Sequence, residues 1–299
     1  MGLANPRVDR LEPFTRATGR SLWRDARARL LRNRAAMVSL VVLGLIALAA
    51  IIAPSLSPHP FDEVYWDRIT APPDPASQHW FGTDGNGRDL FVRTLYGTRV
   101  SLAVGVIATL VSLVIGVAWG AVAGWAGGLV DEVMMRIVDI LYALPFLFFV
   151  IILMVVLGRN MILLFIAVGA VEWLTMARIV RGQTLAVKRR EFIEAARAAG
   201  VPGWLIVLRH VVPNVMGPVV VFVTLTVPEV IITESFLSFL GLGVQEPYTS
   251  WGILIAEGAK NMETAWWMLV FPAAFLAVTL FCFNFLGDGL RDALDPKDR

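Results

Sequence analysis

Residues 100–124 read VSLAVGVIATLVSLVIGVAWGAVAG, a stretch without a single charged side chain. A run of this length covers the roughly 30 Å of hydrocarbon in a bilayer when coiled as a helix. Helix is the conformation available to it, because hydrocarbon offers no partner to a backbone N–H or C=O outside the segment. Five comparable runs surround it, at 37–56, 134–157, 160–179, 213–237 and 265–287. All are too long for barrel strands. The predicted fold is therefore an all-α membrane protein with six transmembrane helices. Composition agrees: 57% of the 299 residues are hydrophobic and 17% charged, with mean hydropathy +0.68, more apolar surface than a soluble globule hides. A disordered, collagen-like or disulfide-stapled chain is excluded, since Cys282 is the single cysteine and has no internal partner.

The cations orient the spans. Twenty of the 26 Lys and Arg fall in residues 1–36, 125–136, 178–213 and after 287, and six fall in 54–99, at Arg159 and at Lys260. The positive-inside rule places both termini in the cytoplasm. Trp266, Trp267 and Tyr96 then lie near outer helix ends, where amphipathic rings favour the headgroup layer. Ala47-Leu48-Ala49 has the spacing of a signal-peptidase site, but it sits inside the apolar run, so a signal anchor is expected. The chain divides into an Arg-rich cytoplasmic segment (1–36), a first span (37–56), an extracytoplasmic loop (57–99), a five-helix core (100–290) containing a cytoplasmic loop at 182–213, and a tail (291–299).

The outer loop carries Pro58, Pro60, Pro72, Pro73 and Pro75, which argue for an extended path held by contacts. Asp84, Asn86 and Asp89 have the look of a calcium loop, but Arg88 occupies the fifth position and no Glu stands at the twelfth, so turn chemistry is expected instead. In the inner loop, Gln183 to Ala199 is rich in helix formers, Gly200-Val201-Pro202 stops the helix, a second helix restarts, and Pro213 opens the fifth span. Ala195, Ala196, Ala198 and Ala199 form a small-residue surface beside Glu194. By composition this helix either docks a protein or lies on the membrane surface, where Lys188, Arg189 and Arg190 suit anionic lipid.

Gly116, Gly120, Gly124 and Gly128 recur every fourth residue and predict a bare ridge for close helix packing. Asp139, Glu172, Glu229, Glu234 and Asp288 are candidates for a transport path or buried ion pairs, with Asp139 expected to pair locally with Arg136 three positions earlier. No catalytic site is indicated. Lys188, Lys260 and Lys297 follow Val187, Ala259 and Pro296, so there is no P-loop; Gly-x-Ser-x-Gly and His-Glu-x-x-His are absent; His59, His79 and His210 are scattered without partners at ligand spacing, so no metal site is expected. His210, beside Arg209, reads as a polar surface or interface residue. Nothing suggests a nucleic-acid partner.

The stretch Glu194-Ala195-Ala196-Arg197-Ala198-Ala199-Gly200, closing at Pro213, resembles the EAA loop of binding-protein-dependent ABC importer permeases. His210 and Val212 stand where Ile and Leu are usual before the closing proline. Arg209-His210-Val211-Val212-Pro213-Asn214 instead resembles the dipeptide, oligopeptide and nickel branch. Residues 79–89, 235–245 and 284–296 resemble the C-type member of that branch's permease pair, and the resemblance covers about 79–296. It implies a type I importer (MetI-like) fold in a bacterial inner membrane, with Glu194, Ala195, Ala196, Gly200 and Pro213 in a coupling loop. It also implies a second permease, two ATPase subunits that hold ATP and magnesium, and an extracytoplasmic binding protein, with no cofactor and no catalysis in this chain. Di- or oligopeptide is the expected substrate, with nickel or another small solute as the alternative. A secondary transporter, the rival of another class, would call for two symmetric halves, and no internal repeat is visible. A membrane enzyme would need matched nucleophile and base, and an exporter would not depend on a binding protein.

Overall fold

The structure is a computed structural model that describes residues 22–157 and 161–294. Most of the Arg-rich leader, Asn160, Lys297 and the end of the tail lie outside the described residues. Helix α1 (Leu22–Arg32) leads through Asn33 into α2 (Arg34–Leu56). The Asn33 side chain caps α2 by accepting from the Ala36 N–H at 3.1 Å, which satisfies one of the four orphan donors of a helix start. Helix α2 packs along α11 (Trp267–Leu294). Contact is close because Gly289 has no side chain: a Cβ there would stand 2.5 Å from the Ala36 Cβ.

Helix α3 (Leu90–Ala126) is the central rod, packed against α6 (Met161–Val187) along its longest seam and against α9 (Val212–Phe239) on another face. It contains the whole 100–124 run but begins ten residues earlier, at the Asp89 cap. At about 1.5 Å per residue it exceeds the bilayer's apolar thickness, so its first turns belong to the loop that precedes it. Gly127 and Gly128, with φ of +69° and +55°, end it and turn the chain into α4 (Gly128–Ala143).

The expected third span, 134–157, is two helices here. Helix α4 stops at Leu144, which is extended (φ −71°, ψ 130°), and α5 (Phe146–Leu157) follows. Pro145 explains the break: its ring disfavours helical conformation at Leu144 and it has no N–H to continue the ladder. Among the described residues, four helices are long and apolar enough to cross a membrane: Arg34–Leu56, Leu90–Ala126, Gly203–Phe239 and Trp267–Leu294. The expected fourth span corresponds to α6, which carries Glu172, Arg178 and Arg181.

The inner loop also departs from expectation. Gln183 to Val187 completes α6, the chain turns at Lys188 to Arg190, and α7 (Glu191–Ala198) is a separate helix. After Gly200 and Pro202, α8 (Gly203–Ile206) runs through a π turn at Val207–Val211 straight into α9. Pro213 sits just beyond that turn. A proline lacks an N–H and crowds the carbonyl four residues back, and widening the preceding turn accommodates both.

Asp139 does not pair with Arg136. Its partner is Arg178 on α6, at 2.9 Å, and Arg178 also lies 4.3 Å over the Tyr142 ring. One turn nearer the loop, Arg181 grips Asp131 with two hydrogen bonds of 2.5 and 2.7 Å. These two pairs fasten α4 to α6. Glu234 on α9 is fully buried and accepts from the Ser101 and Ser238 hydroxyls at 3.2 and 2.6 Å. Ser101 also accepts the Trp251 N–H at 3.2 Å, so α3, α9 and α10 (Trp251–Lys260) meet at one polar node.

Candidate functional site

Two places carry candidate chemistry, the α7 loop and a cavity among α4, α5, α6 and α9. The loop is bound to the helix bundle by one side of α7. Ile193 is fully buried in a cluster with Ala121, Met176, Val180, Ile206, Val211 and Val215, which draws α3, α6, α8 and α9 together beneath it. Glu194, Ala195, Ala198, Ala199 and Gly200 are exposed, and Ala196 is half-buried. Gly200 terminates α7 at φ +76°, a conformation that disfavours residues with a Cβ, and the Val201 N–H reaches back to the Ala196 carbonyl at 3.1 Å. That bond closes the helix as a Schellman motif. Around the exposed Ala face stand Phe192, Trp204 and Leu208, also exposed. The same short segment exposes the charged Arg190, Glu194 and Arg197.

Trp125, at the last turn of α3, joins the loop to the bundle and was not marked by any sequence pattern. The Lys188 ammonium meets its carbonyl at 2.5 Å, satisfying a free C=O at a helix end where positive charge is favoured. Arg197 of α7 lies 4.5 Å over its indole, and a Cβ on Gly203 would stand 3.0 Å from its Nε1. Helix α7 is thus held by α3 and α6 on one side and continues through α8 into the α9 rod.

Gly116 and Gly124 face α6: a Cβ on Gly116 would come within 2.5 Å of Met176 Cβ, and one on Gly124 within 2.8 Å of Thr184 Cβ. Gly120 lies between them against the Ala177 carbonyl. Gly128 is no part of this ridge. Nothing lies within 4 Å of its missing Cβ, and it serves the turn after α3.

The cavity has a volume of about 430 Å³, and the Leu144-Pro145 break forms part of its lining. Tyr142 and Pro145 line it from the α4–α5 side, Glu172 and Thr175 from α6, and Glu229 from α9. It brings together two of the five acidic residues singled out by sequence. Asp139 is engaged with Arg178, and Glu234 belongs to the node with Ser101 and Ser238.

At the opposite end of α3, the Asp84 carboxylate accepts from the Asn86 and Arg88 N–H groups at 2.8 and 2.9 Å, which is turn chemistry. Its second oxygen lies 2.9 Å from Arg88 Nε and 3.1 Å from Arg93 Nε. Arg93 is completely buried, and Arg88 continues to Glu246 at 3.1 Å. Burial raises the Glu257 carboxyl against the opposing pull of Arg93. The histidines are not all scattered. His59 and His79 stack with centroids 4.1 Å apart and planes 18° apart, and His79 Nδ1 lies 2.7 Å from Asp89 Oδ2. The ligand atoms of His59, His79 and Asp89 lie within 4.8 Å of one another. Stacked rings direct their in-plane lone pairs along nearly parallel planes, so they do not converge on one metal ion.

A helical bundle whose apolar rods are long enough to span a bilayer is the architecture of a multi-span membrane protein. Residues 116–299 match the family described as "Binding-protein-dependent transport system inner membrane component", and the chain belongs to that family. Residues 21–73 match the "N-terminal TM domain of oligopeptide transport permease C". The chain is 57% identical over 302 residues to the oligopeptide transport system permease protein OppC of Escherichia coli (strain K12), covering 100% of both. It is 47% identical to the dipeptide transport system permease protein DppC of Bacillus subtilis (strain 168), across 93% of this chain and 87% of that protein. With the glutathione transport system permease protein GsiD of Pectobacterium atrosepticum the identity is 41%, across 93% and 92%.

Proposed function

We propose that this permease imports di- or oligopeptides as one half of a heterodimeric path, driven by two ATPase subunits and supplied by an extracytoplasmic binding protein. The six spans in this reading are α2, α3, the broken α4–α5 unit, α6, the α8–α9 rod and α11, with both termini and α7 in the cytoplasm. The exposed Glu194, Ala195, Ala198 and Ala199 face carries the reading: small side chains admit close approach of a partner surface, and buried Ile193 makes α7 a rigid part of the bundle rather than a tethered loop. Force applied to α7 passes through Trp125 to α3 and through α8 to α9. ATP and magnesium are held by the ATPase partners, and closure of those subunits rocks the two permeases to alternate access. The cavity bearing Glu172 and Glu229 is this chain's contribution to the path. Peptide is favoured as cargo by the named oligopeptide and dipeptide relatives.

Affinity purification of the chain from its native membrane in mild detergent tests the assembly. Recovery of a second permease of this family with two P-loop ATPases is expected. Recovery of the chain alone, together with uptake that survives ATP depletion, would contradict it.

A further inference from the structure

The stacked histidines sit in a hydrogen-bond relay whose proton count does not close with ordinary neutral groups. His59 Nε2 lies 3.0 Å from the Ser77 carbonyl oxygen, which only accepts, so Nε2 carries a proton. His59 Nδ1 lies 2.8 Å from the Tyr65 hydroxyl oxygen, and the single proton of that hydroxyl is directed to Glu63 Oε2 at 2.9 Å. A carboxylate has nothing to donate. Either Nδ1 is protonated as well, or Glu63 is and the Tyr65 proton turns toward His59. In both cases the relay from Glu63 through Tyr65 and His59 to Ser77 holds one proton more than a carboxylate, a phenol and a neutral imidazole supply.

We propose that this relay is a proton-binding clasp that fastens the segment between α2 and α3 to the N-terminus of α3, closed when the extra proton is bound and loosened when it leaves. The surroundings suit a cation. His59 stacks on His79, whose Nδ1 donates to buried Asp89, and Asp89 in turn caps α3 by accepting from the Val92 N–H at 2.8 Å. Releasing His59 therefore uncovers the ring that braces the α3 cap. Tyr65 packs edge-on against both histidine rings. Behind Ser77, Arg68 and Asp74 pair at 3.1 Å and both hold the Ser77 hydroxyl, which keeps its carbonyl facing the imidazole. The charged and titratable neighbours are thus Glu63, Asp74 and Asp89 against Arg68 and His79. The Tyr65 hydroxyl is pushed up to about 12, by burial and then by its bond to Glu63.

Closing takes up one proton, so the closing constant falls tenfold per pH unit wherever the open relay has lost its proton. Amide exchange of residues 57–79 is to be followed between pH 5.5 and about 8.5 in the full-length chain in nanodiscs, corrected for intrinsic exchange rates. The wild type should lose protection by about tenfold per unit at the upper end. Glu63→Gln supplies an N–H to the Tyr65 oxygen, frees the Tyr65 proton for His59 Nδ1, and closes the relay around a neutral imidazole; its protection should not depend on pH. Tyr65→Phe, which removes the competing acceptor, should give a flat profile at lower protection. Wild-type protection that ignores pH, or variant profiles that track the wild type, would overturn the clasp. The clasp takes its exposure to the outside from the proposed orientation, but this measurement reads the segment without any transport, so the two can fail separately.

Discussion

Gly120 and Gly128 stand two steps apart on one four-residue repeat, yet only Gly120 meets another helix. Placing a Cβ on Gly120 drives it into the α6 backbone at Ala177 and to 2.9 Å from the Arg181 nitrogen. Gly120→Val should therefore cost about 1–3 kcal/mol, as overpacking does, read as a lower midpoint of thermal unfolding in detergent. Gly128→Asn should be nearly neutral, since space is open there and Asn tolerates positive φ. Asp84 is a second pressure point. It is the carboxylate within ion-pair distance of fully buried Arg93 and also binds Arg88, so Asp84→Ala should destabilise by about 3–5 kcal/mol, the usual result of stranding a buried charge. Asp74 is held down to about 2 by hydrogen bonds from Ser77 and Arg68. A depressed carboxyl adds stability that is whole above its unfolded value near 3.9 and is lost as pH falls through the folded one. Protection of residues 66–77 should decline between about pH 4 and pH 2, and Asp74→Asn should remove that decline.

At the scale of elements, the apolar runs located the rods because hydrocarbon leaves so few conformations open. The 100–124 run is the heart of α3, and Gly200-Val201-Pro202 does stop a helix. What periodicity missed was set by single residues and by tertiary partners. Pro145 splits the third run, a signal present in the sequence but outweighed by the apolar residues around it. Arg136 lies three residues from Asp139, yet Arg178 is the partner, because the facing helix offers a guanidinium and Tyr142 offers it a ring. Trp125 and Lys188 are 63 positions apart, and nothing local joins them. The two faces of α7 separate by experiment. Ile193→Ala should cost about 2–5 kcal/mol of thermal stability through the cavity it leaves. Glu194→Arg, on the exposed face, should leave stability within roughly 0.5 kcal/mol while uncoupling ATP hydrolysis from uptake.

For the molecule as a whole, the chain's membership of the permease family and its two packed ends fit a lever. Helix α7 is packed against one end of α3, α6 and α9, and the Asp84, Arg88 and Glu246 network ties the opposite end of α3 to the turn after α9. Movement at one end has a continuous, close-packed route to the other. The direct test is peptide uptake into proteoliposomes reconstituted with all subunits of the complex, with loaded binding protein outside and ATP inside, comparing wild type with a Glu194→Arg, Gly200→Pro double variant of matched membrane insertion. ATP-dependent uptake by the wild type, lost in the variant while its subunits remain associated or dissociate at the ATPase contact, is the expected result. Equal uptake by both, or wild-type uptake without ATP, would contradict coupling through α7.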